Sequence, residues 1–335
     1  MYKALHFPSN QEIIILDVRW RQQIAYLRSL DQQDKLVCPG CNQPVRVRAG
    51  ETKSWHFAHK HLQNCPFEKE SPALLQARAV LYHWLVDQFG SESVTVEKSL
   101  NAPNFPRHVD CWVEKDKLTS AYCIFERRMP PDERHNLKSA FREVGVQVNW
   151  VFISDLLHMD SELGQDYLYL TTTERAFLQK SELDQAWQTH FEHLGSSLHY
   201  LDSEQEMLIT YRNLNVIHLP QLYSGTRLEH PLSEVLAAPA NGEFVHPGET
   251  DRLQKSRAEI EAQADVAAKR WQKAQDFFRQ GSSRLEIFPK PSEKPANPPY
   301  ERRGTCKFCG QETTDWVTYF GQTNECICRD CKDRF

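Results

Sequence analysis

Eight of the ten cysteines fall in two short stretches, and their spacing restricts the fold more than any other feature of the chain. The first stretch reads "CPGC", Cys38 to Cys41, and is followed by "HFAHKHLQNC", which ends at Cys65. Two thiolates separated by two residues sit on one tight knuckle, as one edge of a tetrahedral zinc site requires. The second pair must come from Cys65 and a histidine. Along "WHFAH" successive residues point to opposite sides of a strand, so His56 and His59 face opposite ways. His59 is taken as the ligand that joins Cys38, Cys41 and Cys65. His56 and His61 compete for the histidine place; with His59 as ligand, His56 either supports the site from behind or faces DNA. Four protein ligands close the coordination sphere, so this zinc would be structural.

The second stretch, "CKFCG" and "CICRDC", gives Cys306-x2-Cys309 and Cys328-x2-Cys331, the spacing of a zinc ribbon, with Cys326 able to replace Cys328. A segment this short folds around metal rather than around a core of its own. "PKPSEKPANPPYERRG" (289–304) precedes it as an extended, proline-rich linker. Two structural zinc ions are therefore expected. The opening "MYKALHFPSNQEIIILDVRW" has no cleavable signal pattern, and no run of 18 apolar residues occurs, so a cytoplasmic location away from membranes is expected. Cysteines in that compartment bind metal more often than they form disulfides. The formal net charge is −5, so a nucleic acid would have to be held by local basic patches.

Between the cysteine clusters the hydrophobic pattern changes period several times. Residues 1–36 alternate short apolar runs with polar breaks ("EIIILDV", "QIAYL"), as small strands or a hairpin would. Residues 71–89 read as a helix capped by Ser71, with Pro72 in its first turn. "SVTVEKSL" (93–100), "RHVDCWVE" (107–114) and "LTSAYCIFE" (118–126) read as strands, 131–143 as a helix and "VNWVFIS" (148–154) as a buried strand. The fold class is α/β (α+β), with a core ordered helix, three strands, helix, strand. "ERAFLQKSELDQAWQTHFEHL" (174–194) reads as helix, and 197–246 as several short strands. Residues 250–280 form a long polar helix with a thin apolar stripe, which docks by one edge. The expected divisions are 1–69, 70–156, 157–249, 250–280, 281–304 and 305–335.

Two carboxylates in this core point to chemistry. Asp110 lies early in one strand of the 107–126 hairpin and Glu126 ends the other, so both lie at the end away from the turn. Converging carboxylates suit Mg²⁺, which takes oxygen ligands and keeps waters that a phosphate can displace. The ion would polarise a phosphodiester and lower the pKa of a bound water. Arg128 shares a face with Glu126 and would stabilise charge on the phosphate. Arg134, Lys138 and Arg142 recur every four residues as one basic stripe, a candidate DNA contact. The bland reading of each is a solvated strand end and a solvated helix face.

The pieces "CPGC", "HFAH", Cys65, "ES" at Glu70-Ser71, "RHVD", "IFE" and "NWVFIS" occur in an order that resembles the CoiA-type competence-protein family. That group joins an N-terminal zinc finger to a restriction-endonuclease-like domain. The resemblance covers roughly residues 1–155 and is weaker to about 246. It implies a PD-(D/E)xK core in which Asp110 and Glu126 bind metal, the Arg127 carbonyl assists, and Glu70 is a further acid. It also implies a metal-dependent nuclease acting in DNA uptake, recombination or defence against foreign DNA. The departure is at Arg128, where the wider fold has lysine and this family commonly glutamine. Guanidinium does not give up its proton, so Arg128 cannot serve as a base. The ribbon and its linker lie outside the family pattern. With the 250–280 helix they would recruit a protein such as a helicase or recombinase. A non-catalytic DNA-binding protein or an adaptor is the alternative to the enzyme.

Overall fold

The computed structural model describes residues 1–51, 54–61, 65, 67, 70–100, 108–187, 195–218 and 221–282, and four short strands beyond them; side chains at 263, 274 and from 277 onward lie outside the description. The chain divides into two compact units, Met1–Asp265 and Val266–Phe335.

In chain order the first unit begins with β1 (Lys3–His6), β2 (Gln11–Ile14), α1 (Arg19–Gln22), α2 (Ile24–Gln32), β3 (Leu36–Val37), β4 (Val45–Arg48) and β5 (His56–His59). β2, β1 and β3 form one small sheet and β4 and β5 another. "QIAYL" lies at the start of α2 and is not a strand: Leu27 and Leu30, three apart, bury one helical face.

The core follows as α3 (Pro72–Phe89), β6 (Val94–Lys98), β7 (Val109–Lys115), β8 (Leu118–Phe125), α4 (Pro131–Val144) and β9 (Gln147–Ile153). Ser71 caps α3, its hydroxyl accepting from Leu74 N at 3.0 Å, and Gly145, at φ 70, ends α4 in the left-handed region. β6, β7 and β8 pair antiparallel, and β9 runs parallel to β8. Alternation along β8 decides the layering. Tyr122 and Ile124 pack under α3 with Cys111, Val113 and Val151, whereas Cys123 and Phe125 pack with Trp150 and with Leu137 and Phe141 of α4. The two helices thus cover opposite faces of the sheet.

The sheet does not stop at β9. After β10 (Met159–Asp160), β11 (Gly164–Tyr169) and α5 (Thr172–Ala176) come β12 (Ser196–Asp202), β13 (Met207–His218) and β14 (Leu222–Pro231). These extend it to nine strands in the order β10-β11-β14-β13-β12-β9-β8-β7-β6, with β12 parallel to β9. Among the described residues, 197–246 therefore hold most of β12 and the two long strands β13 and β14, followed by the two-residue strands β15 (Leu236–Ala237) and β16 (Phe244–Val245). The expected helix over 174–194 is also corrected as far as Trp187, and its remainder, 188–194, lies outside the described residues. A capping box at Thr171 and Glu174 starts α5, but Phe177 is drawn against Phe125 and Trp150 at centroid distances of 4.6 and 4.7 Å. Gln179 then pairs with Ser197, and Glu182–Trp187 is a 3-10 turn. Packing of the Phe177 ring against the sheet outweighs the local helical preference.

α6 (Glu249–Ser282) is anchored at its start, where Arg212 donates to both oxygens of Glu249 at 2.9 and 3.1 Å. Leu253 is buried, while Ile260 and Trp271 are exposed. The second unit contains β17 (Gly304–Thr305) paired with β18 (Glu312–Thr313), and β19 (Trp316–Thr318) paired with β20 (Cys326–Cys328). Of the expected ribbon ligands, Cys328 lies in β20 with its side chain outside the description, and Cys306, Cys309 and Cys331 lie outside the described residues.

Candidate functional site

β4 and β5 bring the first metal cluster together. Val45 pairs with His59 in register, which sets the histidine beside the knuckle of Cys38 to Cys41. Gly40 allows the close approach of the Phe67 ring, because a Cβ there would lie 3.0 Å from it and the ring would have to shift. Cys38, Cys41, His59 and Cys65 place their ligand atoms within 4.8 Å of one another. Cys38 Sγ and Cys65 Sγ are 3.7 Å apart and Cys41 Sγ lies 3.2 Å from His59 Nε2. A tetrahedron with Zn–S bonds of about 2.3 Å has S–S edges of about 3.8 Å, so the spacing fits zinc. Burial pushes the Cys38 and Cys65 thiols up, so a metal must displace their protons to bind. His56 sits on the other side of β5, with Nδ1 2.9 Å from the Ser54 carbonyl.

The acids form a different arrangement from the one expected. Asp110 and Glu126 do lie at one end of the β7–β8 hairpin: Asp110 Oδ2 accepts from the amide of Ile124, two residues before Glu126, at 2.8 Å. Their carboxylates have different partners. Glu126 accepts from the Ser71 hydroxyl at the start of α3. Asp110 Oδ1 accepts from Arg78 Nε at 3.1 Å and Nη2 at 2.8 Å. Arg78 also donates to Glu97 Oε1 at 2.7 Å and to Glu70 Oε1 at 2.6 Å, and it is fully buried. Glu97 in turn accepts from the amides of Tyr2 and Lys3 at 2.6 and 3.0 Å. The Met1 amine lies 3.3 Å from Glu70 Oε2. His108 Nε2 is 3.1 Å from Glu70 Oε1, and its ring stacks on Phe67 at 4.3 Å.

One guanidinium therefore ties three buried carboxylates, and through them β1, α3, β6 and β7. Although burial works against ionisation, Arg78, His108 and the Met1 amine hold the Glu70 carboxyl far below the usual range. Among the described residues, no group of three or more acids converges as the cysteine–histidine group does.

The remaining expected residues are scattered. Arg128 is exposed in the connection beyond the end of β8. On α4, Lys138 donates to the Ala176 carbonyl at 2.7 Å and lies 5.8 Å from the Phe177 ring centroid, which staples the helix to α5. Arg134 is half-buried and Arg142 exposed, and both lie on the helix that covers the sheet face opposite α3. Arg78, Glu97 and His108 went unread in the sequence. The available signal was an arginine in phase with Leu74, Leu81 and Leu85, on the face of an apolar helix that must be buried.

A groove of about 1510 Å³ runs from Ser54, His56, Glu70 and Ser71 along α3 to Asp155 and Glu206. It reaches the carboxyl ends of the parallel strands β9 and β12, at Ile153 and Leu201, the position where open α/β sheets place ligands. No helix among the described residues is long and apolar enough to cross a membrane.

Residues 19–68, which contain all four ligands of the first metal cluster, match the family model described as "Competence protein CoiA, N-terminal domain". The chain is 28% identical over 120 residues to Competence protein CoiA of Bacillus subtilis (strain 168), a match that covers 35% of this chain and 31% of that protein. The match thus spans about a third of the curated relative's length. No solved structure matches. Both likenesses support the CoiA-type family that the order of the motifs implied.

Proposed function

We propose that the chain is a DNA-processing protein of the competence type, whose 70–156 core is a PD-(D/E)xK-like, Mg²⁺-dependent nuclease. The observation that carries this reading is topological. A helix, three antiparallel strands, a second helix and a strand parallel to the third place Glu126 at a strand end, against the N-terminus of α3. Mg²⁺ would polarise the scissile phosphate and activate water. Glu126 is the carboxylate available to such an ion, because its partner, the Ser71 hydroxyl, is neutral and can rotate away. Asp110, the second acid, is fixed in place by Arg78 and the Ile124 amide. Glu70 supports it through the same arginine. Arg128, being exposed, would meet the phosphate from the solvent side and stabilise its charge. The first zinc ion holds the N-terminal hairpin in shape. A second zinc in the 305–335 ribbon would fold a recruitment module for a protein partner.

The test is cleavage of single- and double-stranded DNA by purified protein with Mg²⁺, Mn²⁺ or EDTA, with Glu126→Gln as control. Metal-dependent cleavage by the wild type that Glu126→Gln abolishes is expected. A wild type that cuts nothing would overturn the enzyme.

One observation favours a second reading, a DNA-binding protein or adaptor without cleavage. Both Asp110 oxygens are already satisfied, and the cation that satisfies one of them is part of the chain. In that reading the fold holds DNA or brings a helicase or recombinase to it, and Arg78→Lys leaves the cleavage level at zero.

A further inference from the structure

The geometry points to the outer face of the β4–β5 hairpin, through Arg46 and Arg48, as the surface that grips the phosphate backbone of DNA. This rests on the DNA-processing reading and assigns its contact surface. Alternation sends Val45 inward, where it is buried, and leaves Arg46 and Arg48 exposed. Arg46 lies opposite Ala58, and Arg48 opposite His56, so these four share the outer face. Arg28 Nη2 donates to the Ala49 carbonyl at 3.1 Å, which brings a third guanidinium to the end of β4.

At β4 the Asp31 carboxylate, which accepts from the Val47 amide at 2.8 Å, is taken by Lys60. Lys60 is neutralised by Asp31 and Asp34 at 2.8 and 2.7 Å, and Arg127 and Arg227 also have carboxylate partners. Among the described residues Arg46 and Arg48 have none. Two residues of strand separate them by about 6.8 Å, close to the axial rise of two nucleotides. His59 of β5 belongs to the cysteine–histidine cluster, so a metal bound there would brace the hairpin and reduce the conformational freedom lost on contact.

Location decides between this face and the α4 stripe. His56, opposite Arg48, lines the groove that reaches Glu70 and Ser71, whose hydroxyl meets Glu126. α4 covers the other side of the sheet, and Lys138 is committed to Ala176. The far part of the groove is rimmed by Asp87, Asp155, Asp202, Glu204 and Glu206, which repel a phosphate chain. A backbone reaching Glu126 from the α3 side must therefore come over the zinc hairpin.

The test measures binding of fluorescent single- and double-stranded oligonucleotides to the full chain between 50 and 200 mM salt, with zinc content confirming the fold of each variant. Losing two phosphate contacts lowers the salt slope by about 1.8, so the weakening across that range should be about twelvefold smaller in R46A/R48A than in wild type. R46K/R48K should keep the wild-type slope, and R134A/K138A/R142A should change it little. Wild-type binding that R46A/R48A leaves unchanged in affinity and slope overturns the inference while the DNA reading stands. A wild type that binds no DNA overturns both.

Discussion

Replacing Arg78 by Met keeps an unbranched apolar stem and removes the cation that Glu70, Glu97 and Asp110 share. All three acids have side chains between 0 and 5% exposed, so water cannot take over from the guanidinium. Breaking one buried ion pair costs about 3–5 kcal/mol, because an uncompensated charge stays behind. Here one deletion leaves three such charges, so the lower bound is the full range for one pair. With a urea m-value near 3 kcal/mol/M, the midpoint should fall by about 1–1.7 M or more. The pH dependence supplies a sign that simple loss of packing would not. In wild type the Glu70 carboxyl is held down by its cations, so it contributes stability above about pH 4.3 that is lost as pH falls. Without Arg78 the buried carboxyls move up instead, so their contribution is present at low pH and lost as pH rises. The gap between wild type and Arg78→Met should therefore widen from pH 4 to pH 7, and adding Asp110→Asn should narrow it. Tryptophan fluorescence in urea at several pH values reads both effects. A variant with the wild-type midpoint at pH 7, or with the wild-type pH profile, would refute the reasoning.

Chelation or Cys41→Ser should unfold the β4–β5 module, visible as lost protection of the strand amides that pair β4 with β5 in hydrogen exchange, since the hairpin is held beside the cluster of four metal ligands. Elemental analysis should find about two zinc ions in the full chain and about one after Cys309→Ser, with residues 1–265 remaining folded. Burial holds His246 down to about 3 and His199 well below its ordinary value. Each then contributes stability above about pH 6.5 that is lost as pH falls, at up to about 1.4 kcal/mol per unit. His246→Gln should flatten that acid limb in pH-dependent denaturation.

What was legible in the chain followed from local rules. Ser71-Pro72 announces the start of α3, and the period-two run of β8 separates the residues under α3 from those under α4. The tight "CPGC" knuckle can be read because both its ligands lie within four residues. What escaped depended on partners far apart in sequence. "QIAYL" suits a short strand or a helix equally until Leu27 and Leu30 find a common face. The helical wording of 174–194 carries no notice that Phe177 will be drawn into the ring cluster of Phe125 and Trp150, or that Gln179 will pair with Ser197.

The acids show the same limit more sharply. Their positions were readable, since a hairpin must bring Asp110 near the strand position of Ile124, and it does. Their charge balance was not. A sequence displays Glu70, Glu97 and Asp110 as three candidate ligands for an external cation. It displays Arg78 only as one polar residue in an apolar helix. An apolar helix with one arginine on its buried face must supply that arginine with carboxylates, because an unpaired guanidinium cannot be buried. Once Arg78 claims Asp110, Glu126 is left as the acid whose partner is neutral. Whether metal chemistry occurs here therefore turns on Glu126 more than on Asp110, and the variants separate the two. Glu126→Gln should remove metal-dependent cleavage without moving the urea midpoint. Asp110→Asn should lower the midpoint, because it removes a charged partner of a buried arginine. Equal loss of stability in both would mean that Glu126, too, is only part of the scaffold.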